Sequence, residues 1–426
     1  MKKARVIAFI MACMMAVSIT SCKKDVEVVS SDATSSSTPK VRTVEKYGFI
    51  VDKDGVITLN GKAFYGMGVN QHGAFMCGSY AQYLENPSSY IGDLNGYFKP
   101  LSDNGVPFLR CMMGVFYANE VDYYLENSAI FFKAMDYVVE TAEKNKVGII
   151  ASLMWNIATF YEYYGETLDQ SGNPNSKGSQ LAVKYVKDVV SRYKDSPAIW
   201  GWEIGNEGNL GADLTVLTTS HLNTYYKTVG DAIRSVDPDR LITGGDSEPR
   251  GSSKSLREGI GWYPLDTEAD TKKTMELYTP SPLDCISMHM YQYDANVLYD
   301  FDTAMKKYVK LSRELKIGYF IGEFGPDKMH SISPQDADPE KSPAEKKERT
   351  CFYAICDAIV NSDTQISAAW CYRRDEQPSD YSSITPGGQN SYQWDRIVEI
   401  NKGYLDAGKN NSAEYWDGSV NLLYQG

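Results

Sequence analysis

The sequence predicts an α/β protein: a (β/α)8 TIM barrel with an N-terminal β-hairpin and long βα loops. Three observations predict it. From about residue 45, eight short runs are apolar nearly throughout, segments of helical period separate them, and long connections follow alternate runs. Strands that are apolar on both faces imply a parallel sheet covered by helices. Eight such units over ~360 residues fit a closed barrel better than a doubly wound sheet.

The elements follow in order along the chain. Two short alternating runs flank Asp54-Gly55, which predicts a hairpin over residues 48–61. The predicted barrel strands are 64–70, 107–114, 147–155, 199–205, 241–245, 285–291, 318–323 and 366–372. The predicted helices include 129–145, 179–194, 218–235, 299–315 and 344–361. Asp237-Pro238-Asp239 ends the third of these helices sharply.

Long connections follow the first, third, fifth and seventh barrel strands, at 71–90, 156–178, 246–284 and 324–343. In a barrel, such βα loops lie on the C-terminal face, where active sites form. They carry aromatic residues at Phe75, Tyr80, Phe160, Tyr161, Tyr163, Tyr164, Trp262 and Tyr263. Each of these side chains alone is expected to pack, but as a set they predict a cleft with stacking walls.

The N-terminus has the features of an export signal. Residues 1–21 combine early Lys and Arg, a short apolar run and small residues, and the run is too short to span a bilayer. Ile19-Thr20-Ser21-Cys22 resembles a bacterial lipoprotein cleavage box, which would make Cys22 the lipidated first residue. The alternative is an ordinary secretory signal with an incidental cysteine.

The Ser-rich stretch at 22–44 reads as a tether, and residues 45–426 are predicted to form one domain. The protein is therefore expected outside the cytoplasm, lipid-anchored to the cell envelope (outer membrane, periplasmic or surface-facing) or secreted, and touching membrane only through that anchor. Cys111, Cys285 and Cys371 lie in apolar runs and are expected to be buried. One disulfide is possible, but its partners are not indicated.

Composition excludes several classes of function. The net charge of −12 comes without a basic stripe, which argues against nucleic-acid binding. The four histidines include no His-x-His pair, which disfavours a metal-dependent hydrolase, and no G-x-S-x-G motif is present. The glycine patterns fit neither a dinucleotide fold nor a P-loop. No cofactor and no metal are expected.

Two carboxylates follow apolar strands at the predicted C-terminal face. Glu207 comes directly after the fourth barrel strand, and Glu323 ends the seventh. A carboxylate in such a place is costly unless it is hydrogen-bonded or functional. When two carboxylates face each other, the pKa of one is raised, so that group can act as an acid. The other stays ionised and can act as a nucleophile. Glycoside hydrolysis requires this arrangement.

Other strand ends supply suitable partners. Arg110, in the second strand, can pair with a carboxylate and keep it ionised. His289 and Tyr291 are two residues apart in the sixth strand, so they share a face. Trp370 closes the eighth strand and offers a ring for a sugar face.

The motifs resemble clan A of the glycoside hydrolases, most closely family 5, the cellulases, mannanases and relatives. The resemblance rests on WGWEIGNE at 200–207, IGEFG at 321–325 and YGMGVN at 65–70. It extends over roughly residues 45–400, the whole predicted barrel. It implies retaining hydrolysis of β-glycosidic bonds in a β-mannan or β-glucan type poly- or oligosaccharide.

By this resemblance Glu207 is the general acid/base and Glu323 the nucleophile, with carboxyl groups about 5–5.5 Å apart. Asn206 would hydrogen-bond the sugar 2-hydroxyl. Arg110 and Tyr291 would hold Glu323. The reacting subsite would be lined by His289 and Trp370.

The sequence departs from the family at the end of the third strand, where a His is usual. Here Leu153-Met154-Trp155-Asn156 stands instead. Trp155 or Asn156 either takes over the substrate contact or only packs. His72, just past the first strand, is either a subsite contact or a loop residue. The departure leaves the catalytic pair intact and the substrate open.

The alternative function is a non-catalytic, glycan-binding surface lipoprotein on the same scaffold. Only the retention of both carboxylates and their partners argues against it. The sequence does not choose among β-glycans or between endo and exo action, and it leaves the oligomeric state open.

Overall fold

Eight parallel strands close into a barrel. The computed structural model describes residues 46–75, 94–291, 300–326, 343–373, 383–388, 390–417 and 423. The barrel strands are β4 (Gly66–Asn70), β5 (Phe108–Met112), β6 (Gly148–Ser152), β7 (Ile199–Glu203), β8 (Ile242–Thr243), β9 (Cys285–Tyr291), β10 (Gly318–Gly325) and β11 (Ile366–Ala369). Each pairs in parallel with its sequence neighbours, and β11 pairs with β4 to close the ring. The predicted fold is confirmed.

Helices surround the barrel, because their apolar sides bury against strands that are buried on both faces. They are α1 (Leu94–Asp103), α2 (Val121–Glu126), α3 (Ser128–Asn145), α4 (Thr159–Tyr163), α5 (Lys177–Tyr193), α6 (Thr219–Arg234), α7 (Ser253–Arg257), α8 (Glu268–Tyr278), α9 (Phe301–Leu315), α10 (Pro343–Asn361), α11 (Ser391–Asp406) and α12 (Ser412–Trp416). The five predicted helices correspond to α3, α5, α6, α9 and α10 within about two residues at each end. None of the helices in the described ranges is both long and apolar enough to cross a bilayer.

The predicted hairpin is also present. Strand β1 (Phe49–Val51) pairs antiparallel with β2 (Ile57–Leu59), and β3 (Lys62–Ala63) adds a short third strand. The Phe49 ring lies 5.0 Å from Trp200 and 5.8 Å from Phe108, so the hairpin packs against the barrel strands. Gly48 has a φ of +73°, and a Cβ there would lie 2.7 Å from the Ile199 carbonyl oxygen. Only glycine allows this close approach.

Several predicted strands were too long. The strand predicted over 241–245 is only Ile242–Thr243 in the structure. Gly245 has a φ of +80° and turns the chain out of the extended conformation. The prediction over 147–155 ends at Ser152, and 366–372 ends at Ala369. The apolar runs continue past the strand ends into buried loop segments. A prediction from hydrophobicity alone therefore makes the strands too long.

The helices α11 and α12 lie beyond the predicted elements and pack on the barrel through aromatic rings. The α12 residues Tyr415 and Trp416 lie 5.6 and 6.4 Å from Trp200. Cys111, Cys285 and Cys371 are buried, as predicted. The predicted signal peptide 1–21, the tether 22–44 and Cys22 lie outside the described residues.

Candidate active site

Two carboxylates meet at the C-terminal mouth of the barrel. Glu207 follows β7 after a short turn, and Glu323 lies within β10. One carboxylate oxygen of each lies within 4.8 Å of the other, and both lie within that distance of a ring nitrogen of His289. The two strand ends therefore bring together the pair that the sequence predicted.

A sharp turn fixes the position of Glu207. Its φ of +51° is in the left-handed region, and its backbone N–H donates to the Gly245 carbonyl oxygen at 2.7 Å. A non-glycine residue in this region costs roughly 1–3 kcal/mol and persists only where surrounding contacts impose it. A Cβ on Gly245 would lie 2.0 Å from the Gly205 carbonyl oxygen, so these two chain segments lie in close contact.

A bulge in β10 directs Glu323 to the same place. Ile321 pairs with Met288 but Glu323 pairs with His289, so Gly322 is an extra residue in the ladder. Such bulges re-aim side chains next to active sites. A Cβ at position 322 would lie 2.4 Å from the Ser287 hydroxyl, so the bulge needs a glycine.

Arg110 connects four polar side chains of the site through hydrogen bonds and ion pairs. Its Nε lies 2.8 and 2.9 Å from the two carboxylate oxygens of Glu203. Its Nη1 donates to Asn70 Oδ1 at 2.9 Å and to Glu323 Oε1 at 2.7 Å. Its Nη2 donates to Asn206 Oδ1 at 2.7 Å and lies 2.7 Å from Glu203 Oε1. All five N–H groups of a guanidinium thus have acceptors, which holds the fork in one orientation.

Glu323 is held at both oxygens. Arg110 occupies Oε1, and the Tyr291 hydroxyl donates to Oε2 at 2.6 Å. Burial raises the pKa of Glu323, and the charge of Glu207 adds to this, while His289, Arg110 and Tyr291 act in the opposite direction. The predicted pairing of Arg110 and Tyr291 with Glu323 is present in the structure.

Glu207 has fewer groups that stabilise its charge. Burial raises the pKa of Glu207, opposed by the charge of Arg110 and a hydrogen bond with the Ser247 side chain. The Nδ1 atom of His289 lies 3.0 Å from Glu207 Oε1 and 3.6 Å from Glu323 Oε1. Burial lowers the pKa of His289 to about 4, so the imidazole is neutral near pH 7. If the pair shares one proton, Glu207 is the better place for it, because Glu323 has a direct guanidinium partner.

Three aromatic rings lie beside this network. The His72 ring stacks on Trp370 with centroids 5.3 Å apart, and Trp155 lies 6.2 Å from Trp370. The guanidinium carbon of Arg110 is 4.5 Å from the Trp155 ring centroid. Trp155 therefore covers Arg110 at the end of the third barrel strand. Substrate contact by these three residues stays a prediction.

The Asn156 amide bonds to its own loop and to the neighbouring loop, the one that follows β5. Its Nδ2 donates to the Phe116 carbonyl oxygen at 3.3 Å, and its Oδ1 accepts from the Ala158 backbone N–H at 3.1 Å. A substrate contact by Asn156 also stays a prediction.

Sequence reasoning missed three buried polar residues. Glu203 is fully buried against Arg110, and Asn70 bonds both Arg110 and the Gly322 carbonyl oxygen. Asp246 accepts from the Tyr226 hydroxyl at 2.7 Å, and burial raises the pKa of Asp246 to about 7. An acidic residue inside an otherwise apolar strand was the available signal for Glu203, and strand-end position was the signal for Asn70.

The long connections give a mixed result. Phe75, Phe160 and Tyr161 are buried and pack inside the protein, as expected for each aromatic taken singly, so these three do not contribute to the predicted cleft walls. Tyr164, Trp262 and Tyr263 are exposed, and Tyr163 is partly exposed. Tyr80 lies outside the described residues.

Within the described ranges, one group of three side chains could hold a metal ion, and it is Glu207, His289 and Glu323. This group is the carboxylate pair itself with its neighbouring imidazole. Both carboxylates already have hydrogen-bond partners within the site.

The sequence profile of a known family, described as Cellulase (glycosyl hydrolase family 5), matches residues 61–363, which is most of the chain. Among curated relatives, a probable mannan endo-1,4-beta-mannosidase F from Aspergillus flavus is 30% identical over 165 residues. A probable mannan endo-1,4-beta-mannosidase A-2 from Aspergillus terreus is 32% identical over 165 residues. These alignments cover 38% and 37% of this chain and only 34% and 39% of the relatives.

Solved structures share the fold. The endo-1,4-beta-mannanase from Rhizomucor miehei matches with a TM-score of 0.60 and 16% identity, covering 84% of this chain and all of that one. The endo-beta-1,4-mannanase from Thermotoga petrophila matches with a TM-score of 0.58 and 16% identity, covering 82% of this chain and 79% of that one.

Proposed function

Because the chain belongs to glycosyl hydrolase family 5, we propose that it hydrolyses β-glycosidic bonds with retention of anomeric configuration. The observation that carries this proposal is the carboxylate pair, whose oxygens approach within 4.8 Å at the barrel mouth. Retaining enzymes place their carboxyl groups about 5–5.5 Å apart, whereas inverting enzymes leave ~6.5–9.5 Å for a water molecule.

The environments of the two groups assign their roles. Glu323, whose oxygens accept from Arg110 and Tyr291, attacks the anomeric carbon as a carboxylate. The protonated carboxyl of Glu207 gives its proton to the leaving glycosidic oxygen as the C–O bond breaks. Glu207, now ionised, takes a proton from water, and the resulting hydroxide attacks the anomeric carbon and releases Glu323. Two inversions give net retention.

A β-1,4-mannan is the substrate class that we favour. Its support is that the curated relatives are described as probable mannan endo-1,4-beta-mannosidases. Neutral sugars also suit the site, because its charged groups pair with one another and the rings of His72, Trp155 and Trp370 offer flat apolar faces.

A panel of β-linked polysaccharides tests this assignment. We expect reducing ends to be released fastest from β-1,4-mannan, with β-glucans slower, and the first product seen by proton NMR to be the β-anomer. A first-formed α-anomer would contradict the double displacement. Glycan binding by calorimetry without reducing-end release from any member would favour the non-catalytic alternative.

Changing Glu207 to Gln removes the proton donor while keeping the side-chain shape. We expect hydrolysis of the natural glycan to fall about 10²–10⁴-fold. An aryl glycoside with a dinitrophenolate leaving group needs no proton, so its first step should survive and show a burst of phenolate. The alkaline limb of the pH profile of kcat/KM should also disappear, because in the wild type it reports ionisation of Glu207.

The exposed Glu140→Gln variant on α3 is the matched control and should behave as wild type. Equal losses on both substrates would show that Glu207 is not the acid.

The N-terminal features support export. We propose that residues 1–21 direct the protein out of the cytoplasm and that lipid on Cys22 anchors it to the cell envelope, with residues 22–44 as the tether. The support is the order of basic, apolar and small residues before Cys22. A surface-held enzyme of this kind would meet polymeric glycans that cannot enter the cell.

A further inference from the structure

One segment in the long connection after β8 exposes large apolar side chains. The Trp262 loop, residues 259–265, connects α7 to α8 in the long connection after β8. Its four large apolar side chains are highly exposed: Ile260 63%, Trp262 52%, Tyr263 75% and Leu265 65%. Single exposed apolar residues are ordinary, but a run of this kind marks a binding surface.

The backbone of the Trp262 loop is fixed at both ends. The Ser255 hydroxyl donates to the Pro264 carbonyl oxygen at 2.8 Å, and the Ile260 N–H donates to the Ser255 carbonyl oxygen at 2.9 Å. Asp266 N–H donates to the Gly251 carbonyl oxygen at 2.6 Å. The aromatic side chains are therefore presented on an ordered support, which lowers the entropy lost when a ligand binds.

The loop belongs to the Glu207 side of the site. Just before α7, Arg250 donates from Nη1 to the Asn209 carbonyl oxygen at 2.9 Å. Asn209 and Ser247 exchange two hydrogen bonds, of 2.8 and 2.9 Å, and the Ser247 side chain bonds Glu207. In contrast, Trp370 and His72 follow β11 and β4, on the Glu323 side of the mouth.

We propose that the Trp262 loop binds sugar units of a β-linked glycan on the leaving-group side of the cleaved bond. The proposal rests on the proposed function, because it uses Glu207 as the acid. The acid must contact the glycosidic oxygen, so the departing part of the glycan extends past Glu207. The Trp262 loop is on that side of the site. Pyranose rings have an apolar C–H face and a polar rim, which matches Trp262 and Tyr263 with their flat faces and polar edges.

A chain-length series tests the proposal. The enzyme is assayed on β-linked oligosaccharides of two to six units, labelled at the reducing end. For Trp262→Ala with Tyr263→Ala, we expect kcat/KM on the longest substrates to fall about three- to tenfold relative to the shortest. The main cleavage position should move towards the reducing end, because fewer units are then held on the leaving side. Phe at both positions should restore the wild-type pattern.

The control is Leu405→Ala, which removes a comparably exposed apolar side chain at the end of α11. It should leave the length dependence and the cleavage position unchanged. An identical length profile in wild type and the double Ala variant overturns the proposal, and so does a loss that is equal at every length. If wild type self-associates in solution and the double variant does not, and no length effect is seen, the proposal is also overturned, in favour of self-association. If wild type cleaves no β-glycan, the proposed function fails instead, and the two failures are distinct.

Discussion

Replacing Glu323 with Ala should lower kcat on natural glycans by at least about 10⁴-fold, the largest activity loss expected for any single substitution in this protein. In the proposed mechanism this side chain forms the covalent bond to the sugar, so no neighbouring group can take over its role. Glu207 lies within 4.8 Å, but in the proposed mechanism it acts on the leaving oxygen. Steady-state rates on mannan and on an activated aryl glycoside measure the loss, which should be similar for both, unlike that of Glu207→Gln.

Azide rescue distinguishes the two carboxylates by product stereochemistry. In Glu323→Ala, azide can enter the space of the missing carboxylate and attack the activated sugar once, which gives the α-glycosyl azide. In Glu207→Ala, azide attacks the glycosyl-enzyme intermediate instead, which gives the β-glycosyl azide. The opposite pairing of variant and product would exchange the roles of the two residues. Glu323→Gln, which keeps the side-chain shape, controls for folding by its circular dichroism spectrum.

The sequence predicts the position of this pair because a parallel barrel brings all strand ends to one face. Glu207 and Glu323 directly follow or end apolar strands, so their meeting depends only on the strands being recognised. The same logic placed His289 and Tyr291, near the end of β9, whereas Arg110 lies in the middle of β5 and reaches Glu323 with its long side chain. Their hydrogen bonds to the carboxylates then follow from the closeness of neighbouring strand ends.

Other features depend on register, which the sequence does not show. Trp200 and Trp202 are two residues apart in one strand but have different neighbours. A register shift between β6 and β7 leaves Trp200 as an extra residue, so it packs on Phe49 while Trp202 Nε1 donates to Asp237. The same pairing of β6 with β7 also sets the position of Glu203, and with it the contact between Glu203 and Arg110. Burial of loop aromatics such as Phe160 likewise depends on loop paths that composition does not determine.

Replacing Arg110 with Met should cause the largest loss of stability. Arg110 and Glu203 are fully buried, and Glu323 is 5% exposed, so the variant leaves two buried carboxylates without a cation. Removing one partner from a buried ion pair costs about 3–5 kcal/mol, because the remaining charge is desolvated and unpaired. We expect the free energy of unfolding in urea at pH 7 to fall by about that amount.

A double-mutant cycle with Glu203→Gln isolates the electrostatic part. The Arg110→Met, Glu203→Gln double variant has one buried charge fewer than Arg110→Met, so it should be more stable than that single variant. The isolated Glu203→Gln change should cost less, because Arg110 keeps Glu323 as its partner. A double variant less stable than Arg110→Met would show that packing, and not charge, explains the loss.

The pH dependence gives an independent check on the Arg110→Met result. Arg110 lowers the pKa of Glu323, so its removal raises that pKa further above the unfolded value. A carboxyl with a raised folded-state pKa destabilises the fold above its unfolded pKa, and protonation relieves this as the pH falls. The stability gap between wild type and Arg110→Met should therefore narrow from pH 7 to pH 4.

Arg110→Lys restores a positive charge but offers three donors for the acceptors that Arg110 fills with five. It should recover part of the stability while kcat stays low, because a charge alone does not fix the direction in which Glu323 points. Full recovery of kcat by Lys would instead assign to Arg110 a purely electrostatic role.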